Sequence, residues 1–165
     1  MSKLFASRTA QYPLVAEFAF NWNNFVVDSV DLVKKTLGST VALSTDPLEA
    51  GLTGPVANTI TLDAIPLPPG AVITGGEVIV ETAYAGSTAA TVSLGIAGSL
   101  TTLANAVDLK TAARTALVLT SPLLANSGQN LRATIAYTVA NATAGKARLR
   151  VMYTVDGRAQ EVQVA

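Results

Sequence analysis

The feature that most constrains the fold is an alternation of apolar and polar residues towards the end of the sequence. In residues 129–139 every second side chain from Leu131 onwards is apolar: Leu131, Ala133, Ile135, Tyr137 and Val139. A period of two residues is typical of a β-strand that packs one face on a core and turns the other to water. The pattern therefore predicts an antiparallel sheet in this part of the chain.

The same alternation resumes after a turn at residues 141–145. Two alternating strands separated by a short turn are typical of a β-hairpin. We predict that residues 129–139 and 147–155 pair side by side, with Tyr137 opposite Leu149, because their apolar faces then coincide.

Shorter alternating segments recur along the rest of the chain, bounded by turn residues. A second hairpin is predicted from residues 77–84 and 88–96, joined across residues 85–87. The other predicted strands are residues 15–20, 25–27, 41–44, 58–65 and 114–120. Residues 100–113 are predicted to form a loop with one helical turn.

About eight strands and few helix signals predict an all-β fold. Eight antiparallel strands are the number of a jelly-roll β-sandwich, in which two sheets pack face to face. We expect a jelly-roll-like antiparallel β-sandwich over residues 25–165 and an extended N-terminal arm over residues 1–24. An up-and-down or immunoglobulin-like sandwich would satisfy the same pattern.

A proline-rich segment, IPLPPG at residues 65–70, separates two of the predicted strands. Proline fixes φ and cannot donate a hydrogen bond to a sheet, so Pro66, Pro68 and Pro69 prevent continuous pairing. Gly70 permits a bend. The segment is predicted to be a stiff corner between the two sheets.

Composition limits the partners of the chain. Eleven basic and eleven acidic residues cancel, so no net field attracts nucleic acid. Arg148 and Arg150 occupy alternate positions of a strand and are predicted to face solvent. Only 13% of the residues are charged, about half the usual share, so we expect a surface that meets other protein. No run approaches the roughly 20 apolar residues of a membrane-spanning helix, and no clean signal-peptide core is found.

The residue types needed for most catalysis are missing. The sequence contains no histidine and no cysteine, so a Ser-His-Asp triad, a cysteine nucleophile and the ordinary zinc sites are excluded. Glu77 and Glu81 could be proposed as a glycosidase pair, but four residues in a strand span roughly 13 Å. The acidic pairs Asp28/Asp31 and Asp46/Glu49 do not resemble a calcium loop. We expect no enzyme activity, no cofactor and no small-molecule substrate.

Aromatic residues are concentrated near the N-terminus, and such residues are enriched where proteins meet. The alternative interpretation is that they close one end of the core. The candidate interface residues are Phe5, Tyr12, Phe18, Phe20, Trp22 and, from the outward face of a strand, Ile79.

The order of features in residues 55–157 resembles that of a known group of proteins. The proline corner is followed by TVSLGIAGSL, by DLKTAAR and by NLRATIAYTVANATAGKARLRVMYTV. This order is similar to that of the capsid decoration or cement proteins of tailed bacteriophages. The resemblance implies a non-enzymatic virion protein, made in the bacterial cytoplasm, that binds the outer capsid surface and bridges major capsid proteins. It also implies self-association, for which we favour a homodimer over a homotrimer.

A different class of function fits the same composition. A carbohydrate- or receptor-binding β-sandwich, as in a phage tail fibre or adhesin, would need exposed aromatic rings on one face. The rings to examine are those of Trp22, Tyr84, Tyr137 and Tyr153, since their burial would remove the platform on which a sugar stacks.

Overall fold

The computed structural model describes residues 13–30, 32, 34–38, 59–119, 129–138 and 141–155. Within these ranges the chain forms ten β-strands. In chain order they are β1 (Leu14–Asn21), β2 (Phe25–Val27), β3 (Lys34–Thr36), β4 (Thr59–Pro66), β5 (Ala71–Ala85), β6 (Ala89–Ile96), β7 (Ser99–Asp108), β8 (Arg114–Ala116), β9 (Asn130–Thr138) and β10 (Ala144–Val155).

Eight of the strands form two four-stranded antiparallel sheets. The first, called here the β1 sheet, has the order β1-β10-β5-β8, and the second, the β4 sheet, has the order β4-β9-β6-β7. If the small β2–β3 pair is left out, the first strand pairs with the eighth, the second with the seventh, the third with the sixth and the fourth with the fifth. This nested pairing is the order of a hairpin rolled up on itself, and it confirms the predicted jelly-roll β-sandwich.

The core lies between the two sheets and is built from their inward-facing residues. Val78 and Leu149 from the β1 sheet and Ile135 and Leu94 from the β4 sheet are fully buried. The rings of Tyr84 and Tyr137, one from each sheet, lie 6.3 Å apart. The inward-facing residues of both sheets are buried because the sequence places an apolar residue at every second position of these strands.

Both predicted hairpins are wrong, although their strands exist. β9 pairs with β4 and β6, whereas β10 pairs with β1 and β5. The turn at residues 141–145 therefore carries the chain from one sheet to the other, and the segment between β5 and β6 does the same. The apolar faces do meet, but across the core instead of side by side, because alternation specifies a face and not a neighbour.

The predicted loop over residues 100–113 is also wrong in its first part. β7 occupies Ser99–Asp108 and pairs with β6 in a tight hairpin. Two register shifts occur in this pairing, and Ala106 has a φ of 49°, so the strand is irregular and its alternation is weak. β8 is shorter than predicted, and the strand predicted at residues 41–44 lies outside the described residues.

The proline corner is confirmed. β4 ends at Pro66 in the β4 sheet, and β5 begins at Ala71 in the β1 sheet. Gly70 has a φ of 75°, in the left-handed region that glycine tolerates. The backbone N–H of Ala71 donates to the carbonyl of Pro68 over 3.1 Å and closes the turn.

The N-terminal boundary of the sandwich lies earlier than predicted. β1 pairs with β10 along its whole length, from Leu14 opposite Tyr153 to Asn21 opposite Lys146. The second half of the segment predicted as an arm is therefore a strand of the sandwich, because its alternating apolar residues close one edge of the core. Residues 1–12 lie outside the described residues.

Candidate assembly interface

A small hairpin of β2 and β3 is attached to the side of the sandwich. The backbone N–H of Ser29 donates to the carbonyl of Thr61 in the edge strand β4 over 2.6 Å. At the other end of the hairpin, Ala142 donates to the carbonyl of Gly38 over 2.7 Å. Leu37 is fully buried against the main core. The hairpin is thus held at two places and does not extend freely from the sandwich.

A buried ion pair joins the two strands of the hairpin. The Nζ atom of Lys35 lies 2.8 Å from a carboxylate oxygen of Asp28, and their side chains are 2% and 4% exposed. The other oxygen of Asp28 accepts the backbone N–H of Val30 over 2.9 Å. Because both charges are shielded from water, each depends on the other, and the pair fixes how the hairpin is closed.

The outer side of this hairpin is apolar and exposed. Phe25, Val27, Val30 and Leu32 are 65%, 57%, 72% and 74% exposed, and we call them the hairpin patch. They account for half of the eight large hydrophobic residues that are exposed in the described part of the chain. Single exposed apolar residues are common, but a cluster of this kind is typical of a protein interface.

The backbone at Leu32 is strained. Its φ is 60°, a left-handed conformation that costs a residue with a side chain about 1 kcal/mol or more. The N–H of Leu32 donates to the carbonyl of Asp28 over 2.9 Å, which holds the turn. Strain of this kind persists where the surrounding structure fixes it and is common at functional sites.

A groove of about 490 Å³ lies between the hairpin and the sandwich. Its lining comes from β1, from the hairpin, from β4 and from β9: Phe18, Val26, Val27, Ser29, Leu32, Leu62, Asp63 and Arg132. Arg132 and Asp63 form an ion pair of 2.8 Å at its rim. The groove continues the hairpin patch onto the body of the molecule, since Val27 and Leu32 belong to both.

The outer face of the β1 sheet carries a row of alternating charges, called here the charge ladder. In order of contact it runs Arg114, Glu77, Arg150, Glu17, Arg148, Glu81, Lys146. The contact of Arg114 with Glu77 is 2.5 Å long and that of Arg150 with Glu77 is 3.4 Å long. The side chains of Arg148 and Arg150 are 32% and 34% exposed, which confirms that they lie on the outer side.

The arginines of the ladder lower the pKa values of two of its carboxylates. The pKa of Glu17 lies below its ordinary value, chiefly because its carboxylate accepts a hydrogen bond from Arg150. The pKa of Glu77 is lowered chiefly by its hydrogen bond from Arg114. These carboxylates are ionised over the neutral range and are engaged by arginine, which is an arrangement for ion pairing and not for proton transfer.

The candidate interface residues named from the sequence lie in different places. Phe18 is half-buried in the groove, and Ile79 is half-buried on the outer face of the β1 sheet, with Arg148 and Arg114 opposite it in the neighbouring strands. Phe20 is 1% exposed and belongs to the core, so we place it there and not at an interface.

Of the other three, Trp22 is half-buried directly after the C-terminal end of β1, where it lines a separate cleft. Phe5 and Tyr12 lie outside the described residues, and their part in an interface stays a prediction.

The hairpin patch was missed by sequence reasoning. Phe25 and Val27 alternate as the residues of a core-facing strand would, and Val30 and Leu32 are again two residues apart. One signal of an exposed apolar face was present in the sequence. Val26 and Val27 are adjacent and both apolar, so one of them must face outwards if the segment is a strand.

Two of the four rings examined for sugar stacking are inside the core. Tyr84 is 1% and Tyr137 3% exposed, and burial raises the pKa values of both phenols. Trp22 and Tyr153 are half-buried. A continuous aromatic platform on one face is therefore not formed by these four residues.

Among the described residues, no group of three or more His, Cys, Asp or Glu side chains is placed to hold a metal ion. The same part of the chain contains no helix of the length and apolarity that crossing a bilayer requires. The Glu77 and Glu81 carboxylates engage arginine and lysine in the charge ladder.

The fold is similar to that of a viral protein. A chain of the cyanophage Pam1 capsid asymmetric unit matches with a TM-score of 0.52 and 16% sequence identity, covering 93% of this chain and 94% of that chain. At this identity the similarity shows the fold alone. No protein-family model matches the chain, and no curated protein matches it.

Proposed function

We propose that this protein is a non-enzymatic structural component of a bacteriophage capsid, which binds the outer surface of the shell as a cement protein and bridges major capsid proteins. The hairpin patch is the observation that carries the proposal, because it is an apolar surface without a partner in the chain as described. The jelly-roll topology and the similarity in fold to a capsid chain support it.

The way in which the hairpin is attached suits it to binding. Its backbone bonds to Thr61 and Gly38 and the buried pair of Asp28 with Lys35 hold the patch in one conformation before any partner arrives. A preorganised surface loses little conformational entropy on binding. Burying Phe25 or Leu32 fully would contribute about 1.5–3 kcal/mol each.

The protein's other proposed partner is a second copy of the same chain. We propose a homodimer in which residues 1–12, with Phe5 and Tyr12, contact a neighbouring subunit, while Ile79 and the outer face of the β1 sheet contribute a second contact. Deleting residues 1–24 would remove β1, so a test of this arm must stop at residue 12.

The alternative is a carbohydrate- or receptor-binding module. Burial of Tyr84 and Tyr137 removes two of its aromatic rings, and an extended stacking platform is therefore less well supported than a protein interface.

The test is co-sedimentation of the purified chain with shells assembled from the major capsid protein of the same virus. The double substitution Phe25→Ser/Leu32→Ser should lower the affinity for shells by about a hundredfold, as expected for the loss of roughly 3 kcal/mol of apolar burial. Val118→Ser is the matched control, because Val118 is 57% exposed but lies outside the hairpin patch.

Circular dichroism and thermal unfolding establish that each variant keeps the sandwich. Shell binding that is unchanged in the double variant, or equally weakened by Val118→Ser, contradicts a role for the hairpin patch. A wild-type chain that does not sediment with shells contradicts the capsid function.

A further inference from the structure

A second cleft lies at the C-terminal end of β1. It has a volume of about 360 Å³ and is lined by Asn21, Trp22, Asn23, Thr82 and Lys146, together with Ala144 and Gly145. An aromatic ring next to a few polar side chains is the usual lining of a site for a small polar molecule. Neither the charge ladder nor the proposed capsid interface accounts for this combination.

The tryptophan is held in position by its backbone. The N–H of Trp22 donates to the carbonyl of Gly145 over 3.1 Å. On the other side Gly38 lies against Trp22, where a Cβ atom would come within 3.1 Å of the Cβ of Trp22. The half-buried ring packs against the core cluster and lines the cleft, so it is a fixed apolar surface at the edge of the solvent.

The polar side chains around the ring are available. In the described part of the chain, no hydrogen bond engages the side-chain amides of Asn21 and Asn23, the hydroxyl of Thr82 or the indole N–H of Trp22. An amide provides two donors and an acceptor, and a hydroxyl provides one donor and two acceptor sites. The cleft therefore offers both kinds of partner to a ligand with several hydroxyl groups.

The charge ladder leaves the cleft positive. The ladder contains three carboxylates and four cations and has a cation at each end, so the terminal residues Arg114 and Lys146 each share a carboxylate with an inner arginine. Lys146 lies 2.7 Å from Glu81 and is 49% exposed. Its charge is thus only partly compensated, and it stands at the rim of the cleft.

We propose that this cleft binds an acidic sugar unit, a hexuronate, with one face of the sugar ring on Trp22, its hydroxyl groups on Asn21, Asn23 and Thr82, and its carboxylate on Lys146. The apolar C–H face of a pyranose suits an indole ring, and the carboxylate suits a partly compensated ammonium. The proposal goes beyond the capsid function and does not rest on it.

The test uses the fluorescence of Trp22, which is the single tryptophan of the sequence and therefore reports on this cleft directly. The full-length chain is titrated with methyl β-D-glucuronide and with methyl β-D-glucoside, which differ at one carbon. We expect a saturable change with both and about tenfold tighter binding of the glucuronide, as one charge-assisted hydrogen bond would give.

The variants separate the contributions of charge and hydrogen bonding. Lys146→Gln should weaken glucuronide binding about tenfold, to the level of the glucoside, and leave the glucoside unchanged. Asn23→Ala should weaken both. Lys34→Gln, which removes a cation of β3 that does not line the cleft, should change neither.

A fluorescence response to neither sugar overturns the proposal, as does a preference for the glucoside or a glucuronide affinity that Lys146→Gln does not change. Shell sedimentation of Asn23→Ala is measured in parallel and should be normal. Failure of the sugar site thus leaves the capsid function untouched, and failure of shell binding by the wild-type chain leaves the sugar site untouched.

Discussion

Gly145 shows how closely a single position of β10 is packed. Its φ is 143°, and a Cβ atom added there would fall on the Tyr84 ring. Gly145→Ala should therefore lower the free energy of unfolding by about 3 kcal/mol or more, through overpacking and backbone strain together. Urea unfolding followed by circular dichroism measures the change.

Gly98 provides the matched control for this substitution. It also has a positive φ, 87°, but a Cβ atom there would meet nothing within 4 Å. Gly98→Ala should lower the free energy of unfolding by only about 1 kcal/mol, which is the cost of the backbone strain alone. Equal costs at the two glycines would show that the Tyr84 ring moves aside and that the packing argument is wrong.

At the level of single residues, the sequence predicted burial well in long alternating strands and poorly in short ones. Tyr84 and Tyr137 face inwards as expected, because each belongs to a strand of nine residues or more. Phe20 was assigned to an interface because its strand was taken as an arm. A three-residue strand such as β2 has no period from which its exposed face can be read, so the position of Phe25 could not be predicted.

Among the elements, the β2–β3 hairpin depends on its buried ion pair. Lys35→Met leaves the Asp28 carboxylate buried without its partner and should destabilise the protein by about 3–5 kcal/mol. Asp28→Asn keeps an acceptor for the N–H of Val30 but removes the carboxylate that pairs with the Lys35 ammonium, with a cost of similar size. Chemical denaturation gives both values.

The double substitution Asp28→Asn/Lys35→Met is the informative comparison. It removes both charges at once, so we expect it to be more stable than either single variant, because no buried charge is left alone. Additive losses in the double variant would show that the two side chains act independently and that the pair does not close the hairpin.

The charge ladder makes stability depend on pH. The pKa values of Glu17 and Glu77 are lowered in the folded protein from an ordinary value of 4.5. Lowered pKa values mean that the ladder's contribution is fully present above about pH 4.5 and is lost as the pH falls through the folded values. Acid should therefore weaken the β1 sheet, and an NMR titration of the glutamate carboxyl carbons follows the protonation.

Arg150→Gln tests the cause of the shift. Removing the main donor to Glu17 should move the pKa of that carboxyl back towards its ordinary value. Arg132→Gln is the control, since Arg132 pairs with Asp63 on the opposite side of the molecule and should leave Glu17 unaltered. A Glu17 titration that is the same in Arg150→Gln and the wild type contradicts this account.

The elements also show what periodicity cannot determine. β9 and β10 were predicted correctly as strands and wrongly as neighbours. Each buries its alternate residues in the same core, and the same pattern arises whether two strands lie side by side or face each other across the sandwich. Only the proline corner marked a change of sheet in advance, because Pro68 and Pro69 follow the end of β4 and cannot continue its pairing.

For the whole molecule, we expect the sandwich to require β1 in order to fold. Deleting residues 1–12 should leave the thermal midpoint close to that of the full chain, because the jelly-roll pairing begins at Leu14. Deleting residues 1–24 removes β1, opens β10 to solvent and leaves a cavity where Phe20 packs, so we expect loss of cooperative unfolding. Differential scanning calorimetry distinguishes the two truncations.

Equal behaviour of these two truncated chains would contradict the boundary. A folded chain after deletion of residues 1–24 would mean that the arm ends at residue 24, as predicted from the sequence. A chain that no longer folds after deletion of residues 1–12 would mean that the sandwich requires more than its described strands.

The fold class was predictable from the whole sequence, since strand number, turn composition and scarce helix signals agreed. The candidate interface was less predictable from the sequence, because it depends on which residues remain exposed once eight strands have packed. Phe25, Val27, Val30 and Leu32 become a patch only through the attachment of the hairpin at Thr61 and Gly38, and no local pattern contains that information.

The pairing of the first strand with the last has a mechanical consequence. Leu14 lies opposite Tyr153, so β1 and β10 begin and end at the same pole of the sandwich. A tension applied between these two ends loads their hydrogen bonds one after another, as in opening a zipper, and not all at once as in shear. The sandwich should thus unfold at low force when it is pulled by the start of β1 and the end of β10. It can withstand a larger force only where that force is applied at other parts of its surface.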